Sequence, residues 1–198
     1  MNTPVTIREA VKDDALFMAE RILWAIGIAD AKTSDIENLS AVCAMKDVLY
    51  SYENTLIAEV DGERVGIMIS YDGALYSTLR VKTFSNVGDA LKCDFSNMAD
   101  EAKAGEYYLD SLAVSPEFRH RGVGRALMSA ALERGRKTGI EKATLLVSPK
   151  NPPALRLYSH MGFKPTGMVK AFGHIYLRME RSLSKPLCTE EECSKQTI

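Results

Sequence analysis

The chain predicts one α/β (α+β) domain, with strands and helices arranged about a single core. Three observations predict it. Short apolar runs of strand character alternate with longer stretches of helical periodicity, and an Asp-Gly pair at 61–62 joins two β-rich runs. Residues 114–126, Val-Ser-Pro-Glu-Phe-Arg-His-Arg-Gly-Val-Gly-Arg-Ala, then carry an apolar run through a cationic glycine loop into a helix. A length of 198 residues suits one good core and is short for two. The domain is expected over residues 1–183, followed by a polar tail over 184–198 that contains Glu190, Glu191 and Glu192.

Thr3–Glu9 reads as the first strand. Asp13 and Asp14 offer an N-cap and favourable first-turn charge for a helix running towards Ile28. Ser34 or Asp35 caps a second helix, in which Ile36, Leu39, Val42, Cys43 and Leu49 recur at helical spacing. Thr55–Val60 and Arg64–Tyr71 form a hairpin about Asp61-Gly62-Glu63, because Asp-Gly is a strong turn signal between β-rich runs. Tyr107–Val114 is the next strand, nearly continuous in apolar residues, as expected when both faces are buried. Gly124–Lys137 follows as a helix burying Leu127, Ala130 and Ala131, with Gly139 as its stop. Lys142–Val147 is a strand, Pro152 and Pro153 open a helix that ends at Gly162, and Lys164–Val169 and His174–Arg181 close the series. Residues 72–106, with Leu79, Arg80, Val81, Leu91, Phe95 and Met98, form a long insertion before the fourth strand. A structureless loop of that length is unusual in a compact domain, so a partly helical lid or wall beside a site is expected.

Charge and cysteine usage exclude several classes. Lys and Arg number 25 against 26 Asp and Glu, so no global field favours nucleic acid or a membrane. No apolar run approaches the roughly 18 residues that span a bilayer. Met1–Arg8 lacks the basic-then-apolar pattern of a signal peptide, and the cytosol is the expected compartment. Cys43, Cys93, Cys188 and Cys193 share no C-x-x-C spacing and are read as reduced thiols, with no metal site.

The chemistry concentrates at the glycine loop. A strand feeding a loop at a helix start presents unpaired backbone N–H groups at the positive end of the helix dipole, which suits phosphate or pyrophosphate. Gly122 and Gly124 let the backbone approach such a ligand closely. The loop is not the dinucleotide fingerprint, because the third glycine position is Leu127, and no Walker lysine is present. What remains is Arg119-x-x-Gly122-x-Gly124. Downstream stands a second block, Asn151-Pro-Pro-Ala-Leu-Arg-Leu-Tyr158-Ser-His-Met-Gly162-Phe163.

Together, in this order and separation, the two blocks resemble the GNAT (general N-acetyltransferase) superfamily, over about residues 3–181. The resemblance implies a mixed, mostly antiparallel central sheet, flanked by helices, whose fourth and fifth strands splay apart. It implies acetyl-CoA as co-substrate, with the main chain of Leu112, Ala113 and Val114 on the pantetheine arm. Arg119, His120, Arg121, Gly122, Val123, Gly124, Arg125 and Ala126 would hold the pyrophosphate, the arginines adding charge. Asn151 would contact the cofactor arm or an ordered water; a helix N-cap is the other reading, and both roles can hold together. Family members are often dimers, which admits a homodimer, although the sequence shows no self-complementary surface.

Acetyl transfer to an amine needs a proton acceptor for the nitrogen, donors for the carbonyl oxygen and an acid for the departing thiolate. Tyr158 falls seven residues after Asn151, where the family places the tyrosine that protonates the coenzyme A thiolate. In one branch a glutamate five residues before the Asn serves as base; here that position is Leu146, which points instead to Asp110, with Glu106 second and a water chain as a third route. Tyr71, Tyr76, Phe84 and Phe95 are candidates for lining an acceptor cleft, and Trp24 for standing beside it. Acidic residues of the insertion, Asp89, Asp94, Asp100 and Glu101 among them, would favour a cationic amine over an anionic acceptor. A solvated face is the other reading of those acids, and the resemblance implies a primary amine of an unidentified small molecule or peptide as acceptor. Transfer of a longer acyl chain and a non-catalytic acyl-CoA-binding module are the competing readings.

Overall fold

Seven strands form one sheet in a computed structural model that describes residues 4–28, 30–95, 100–171 and 174–184. In chain order the elements are β1 (Thr6–Glu9), α1 (Ala15–Ala25), α2 (Thr33–Cys43), β2 (Thr55–Val60), β3 (Glu63–Asp72) and α3 (Ala74–Leu91). They continue as β4 (Tyr107–Val114), α4 (Val123–Lys137), β5 (Lys142–Val147), α5 (Pro152–His160), β6 (Lys164–Ala171) and β7 (His174–Ser182). The lateral order is β1-β2-β3-β4-β5-β7-β6, and every neighbouring pair is antiparallel except β4 with β5. Thr3, Met98, Cys188, Cys193 and the tail from residue 185 lie outside the described residues.

Turn chemistry sets the hairpin. Asp61 and Gly62 both take left-handed backbone, φ 54° and 79°, the pairing that matches the twist of two flanking strands. Two caps differ from expectation. Asp14 does not cap α1; its buried carboxylate accepts from Arg8 at 2.7 and 3.0 Å, Arg64 at 3.2 Å and the Val11 N–H at 2.8 Å. Two arginines within reach outcompete a helix N–H, and Asp14 ties β1 and β3 to the start of α1. Likewise α2 opens at Thr33, with Asp35 accepting from the Lys32 N–H at 3.3 Å, and it ends before Leu49.

Alternation along β4 divides the interior in two. Tyr108 and Ala113 join a core with residues of α1, α2 and α3, while Tyr107 and Leu109 join one with α4. α4 lies close on its side because Gly135 lacks a side chain: a Cβ there would stand 2.6 Å from the Tyr107 ring. Residues 72–106 are partly helical. Eighteen of them form α3, whose Tyr76, Thr83, Phe84, Val87 and Ala90 are buried at helical spacing, so it is a third member of the α1–α2 layer. The return to β4 is clamped at Gly73, whose N–H donates to the Glu106 carbonyl at 2.7 Å and where a Cβ would meet the Lys103 carbonyl at 2.2 Å.

The feature that positions the site is the parting of the parallel pair. β4 and β5 are in register only over Tyr107↔Ala143, Tyr108↔Thr144 and Leu109↔Leu145. Beyond Leu109 the β5-facing edge of β4 has no ladder, while β5 stays paired with β7 as far as Val147↔Leu177. On its other edge β4 carries a bulge, because Ile69 pairs with Ser111 and Ser70 with Leu109, leaving Asp110 without a partner on β3.

Candidate active site

A cavity of about 500 Å³ has both separated strands in its walls, and its lining brings together Asp110, Leu112, Asn151 and Tyr158. Asp110 owes its place to the bulge. Its Oδ2 accepts from the buried Tyr71 hydroxyl at 2.5 Å, and its Oδ1 from the Ser111 hydroxyl at 2.8 Å. Burial pushes its carboxyl above the ordinary carboxylate value, against the pull of those two donors. Tyr158 arrives from α5, its ring edge-on to Phe163 with centroids 6.2 Å apart, and burial pushes its phenol up to about 12. Asn151 caps α5, its Oδ1 accepting from the Ala154 N–H at 3.2 Å, and lines the cavity as well.

The glycine loop has the geometry of an anion cradle. His120 and Gly122 adopt left-handed backbone, φ 61° and 83°, and the first helical bond runs from Ala126 N–H to the Gly122 carbonyl. Among the described residues the N–H groups of residues 120–125 have no acceptor within the chain. The two glycines serve different ends. Gly122 is required by its φ, since nothing lies within 4 Å of where a Cβ would stand. Gly124 has ordinary space, 3.4 Å from Leu157, so the fold leaves that position open for a close ligand. Arg119 ties the loop to β4 through its Nε and the Val114 carbonyl at 3.1 Å, and Arg121 lies 5.4 Å from the Phe118 ring centre.

Other candidates fall elsewhere. Glu106 is 1% exposed and sits under Arg178, with Lys142 at 3.4 Å and Lys103 at 3.8 Å, in an ion cluster that is not part of the cavity lining. It is corrected from base to structural anion. Phe84 and Phe95 line the cavity; Tyr71 supports Asp110, and the buried Tyr76 packs on Phe84. Trp24 is not in the lining either. Its ring covers the Arg21 guanidinium at 4.1 Å, and Arg21 donates to the Ser115 hydroxyl at 3.0 Å, bracing the end of β4.

Sequence reasoning names Glu101 only as one of several acidic residues of the insertion, without singling it out. Glu101 lines the cavity at 7% exposure, accepts from the Tyr108 hydroxyl at 2.8 Å, and is pushed up to about 8 by burial and by the charge of Asp110. In an alternating polar stretch, Asp100-Glu101-Ala102-Lys103, it carries no local sign of burial. A carboxyl raised in the folded state binds more protons there than in the unfolded chain. Stability should therefore fall as pH rises from 4.5 to about 8, and Glu101→Gln should flatten that part of the profile. Melting temperatures across this range measure it; an unchanged slope would place the proton elsewhere.

Comparison with known proteins bears on the same elements. The profile of the acetyltransferase (GNAT) family matches residues 28–163. A mycothiol acetyltransferase of Beutenbergia cavernae is 38% identical over 73 residues, 37% of this chain and 24% of that protein. An N-alpha-acetyltransferase of Sulfurisphaera tokodaii is 32% identical over 122 residues, 61% of this chain and 60% of that one. The chain therefore spans less than two thirds of these relatives. Among solved structures, an N-acetyltransferase from Staphylococcus aureus Mu50 superposes with a TM-score of 0.71 at 22% identity, covering 89% of this chain and 100% of that one, a likeness of fold.

Proposed function

The chain belongs to the GNAT acetyltransferase family, and from that premise we propose that it moves the acetyl group of acetyl-CoA directly to a primary amine of a small molecule or peptide. One observation carries the reading: a carboxylate and a phenol, Asp110 and Tyr158, open into a single cavity at the parting of β4 and β5. The free amides of residues 120–125 suit the pyrophosphate, with Arg119, Arg121 and Arg125 adding charge, and the unladdered edge at Leu112, Ala113 and Val114 suits an extended amide-bearing arm.

In the transfer, a nitrogen–carbon bond forms, the carbon–sulfur bond breaks, and the sulfur gains the proton that the nitrogen loses. Asp110 accepts the nitrogen's proton, directly or through water; its raised pKa makes it a better partner for an ammonium than an exposed aspartate. Tyr158 donates to the departing sulfur. Because its phenol at about 12 is a weaker acid than a thiol near 8.5, it supports the thiolate by a hydrogen bond, and the acceptor's own proton completes the balance. A cytosolic location goes with this reading, in keeping with Cys43 and Cys93 as free thiols.

Thermal-shift titration tests the cofactor. Acetyl-CoA at a hundred times its Kd should stabilise by about 2.7 kcal/mol and raise Tm by roughly 5–10 °C, while NAD and ATP do not. Release of coenzyme A on adding an amine separates an enzyme from a binding module. Gly124→Val should raise the Kd for acetyl-CoA at least about tenfold by occupying the opening over the helix start. Normal binding by the folded variant would remove the loop from the cofactor site.

A further inference from the structure

On the amine-acetyltransferase reading, we propose that the acceptor is a small diamine or polyamine, and that Glu101 holds its second ammonium while the reacting nitrogen lies at Asp110. The argument starts from an imbalance of charge. Two carboxylates, Glu101 and Asp110, share one cavity, and among the described residues neither makes an ion pair. Both oxygens of Asp110 receive hydroxyl donors. Glu101 differs: Tyr108 satisfies Oε2, but Oε1 is buried and has no hydrogen-bond partner among the described residues.

The chain pairs buried acids where it needs to. Glu106, five residues on, sits under Arg178 with Lys142 and Lys103 close by. Arg80, whose field reaches Glu101, places its guanidinium on Asp100. Burial and the charge of Asp110 both push Glu101 up, to about 8, as expected of an acid whose counter-ion is not supplied by the protein. A desolvated carboxylate of this kind is stabilised by a cation brought by the ligand.

A monoamine cannot meet that demand, because its nitrogen must be neutral to attack. A diamine keeps one ammonium after the other has lost its proton. Aromatic residues Tyr50, Phe84, Phe95 and Tyr176 line the same cavity and suit both an alkyl chain and a cation. At about 500 Å³ the cavity has the size of a small-molecule site.

The test compares 1,4-diaminobutane with n-pentylamine, equal in heavy atoms, as acceptors for the full chain with acetyl-CoA. The expected kcat/KM is at least about tenfold higher for the diamine. Glu101→Gln should bring that ratio close to one, and Glu101→Asp, which keeps the charge, should retain part of it. The acetyl-CoA thermal shift checks that each variant is folded, and Glu101→Asp carries the comparison if the amide variant loses the shift. Equal use of both amines by the wild type, or a preference that survives Glu101→Gln, would overturn the proposal. Failure of the underlying reading looks different: no acetyl-CoA shift and no coenzyme A release with either amine, which overturns both.

Discussion

Replacing Tyr158 by Phe is expected to lower kcat by about 10²- to 10⁴-fold while leaving the Kd for acetyl-CoA nearly unchanged. The substitution deletes one oxygen. The ring stays, and so does its edge-on contact with Phe163, so neither α5 nor the cavity wall has reason to move. The hydroxyl makes no hydrogen bond within the chain among the described residues, and Tyr158 lines the cavity. Since burial raises the phenol to about 12, the wild-type donor stays protonated through the working range. An alkaline fall in activity below pH 10 should therefore not originate at Tyr158. Steady-state rates and a cofactor titration of the same preparation measure both effects. An unchanged kcat would remove Tyr158 from support of the departing thiolate.

Arg178→Leu is expected to destabilise the fold by about 3 kcal/mol, roughly 10 °C in Tm for a domain of this size. Arg178 covers Glu106, which is 1% exposed, and it also donates to the Glu101 carbonyl at 2.9 Å. Without it, Glu106 keeps only Lys142 at 3.4 Å, Lys103 at 3.8 Å and the Thr144 hydroxyl at 3.3 Å, two of them long flexible cations reaching in from more exposed positions. Most of the loss arises from leaving a charge buried and undercompensated, so Glu106→Leu/Arg178→Leu should recover stability relative to the single variant. Chemical denaturation of the two variants measures the coupling. A single variant within about 0.5 kcal/mol of wild type would show that the cluster does not hold this end of the sheet.

The parts legible in the chain are those whose cause is local. The Asp61-Gly62 hairpin follows from the conformations those residues admit, and α4 and α5 follow from a glycine loop and a Pro-Pro start. The motif spacing likewise suffices to draw Tyr158 and Asn151 to one site, because both stand on α5 and its cap. Misreadings cluster where a distant partner decides. Asp14 looks like a cap until Arg8 and Arg64 reach it from two strands, and Glu106 looks like a base until Arg178 and Lys142 close over it.

Periodicity, turn residues and the two motifs thus settle the fold class and the place of the glycine loop at the start of α4, since each depends on interactions only a few residues long. Tertiary structure alone decides which acids share the cavity. Asp110 projects into the cavity because β3 and β4 slip by one residue, and Glu101 is buried because Tyr108, from the neighbouring strand, receives it. Desolvation is a property of what surrounds a charge, and for Glu101 the surroundings come from α3, β4 and the β6–β7 hairpin at once.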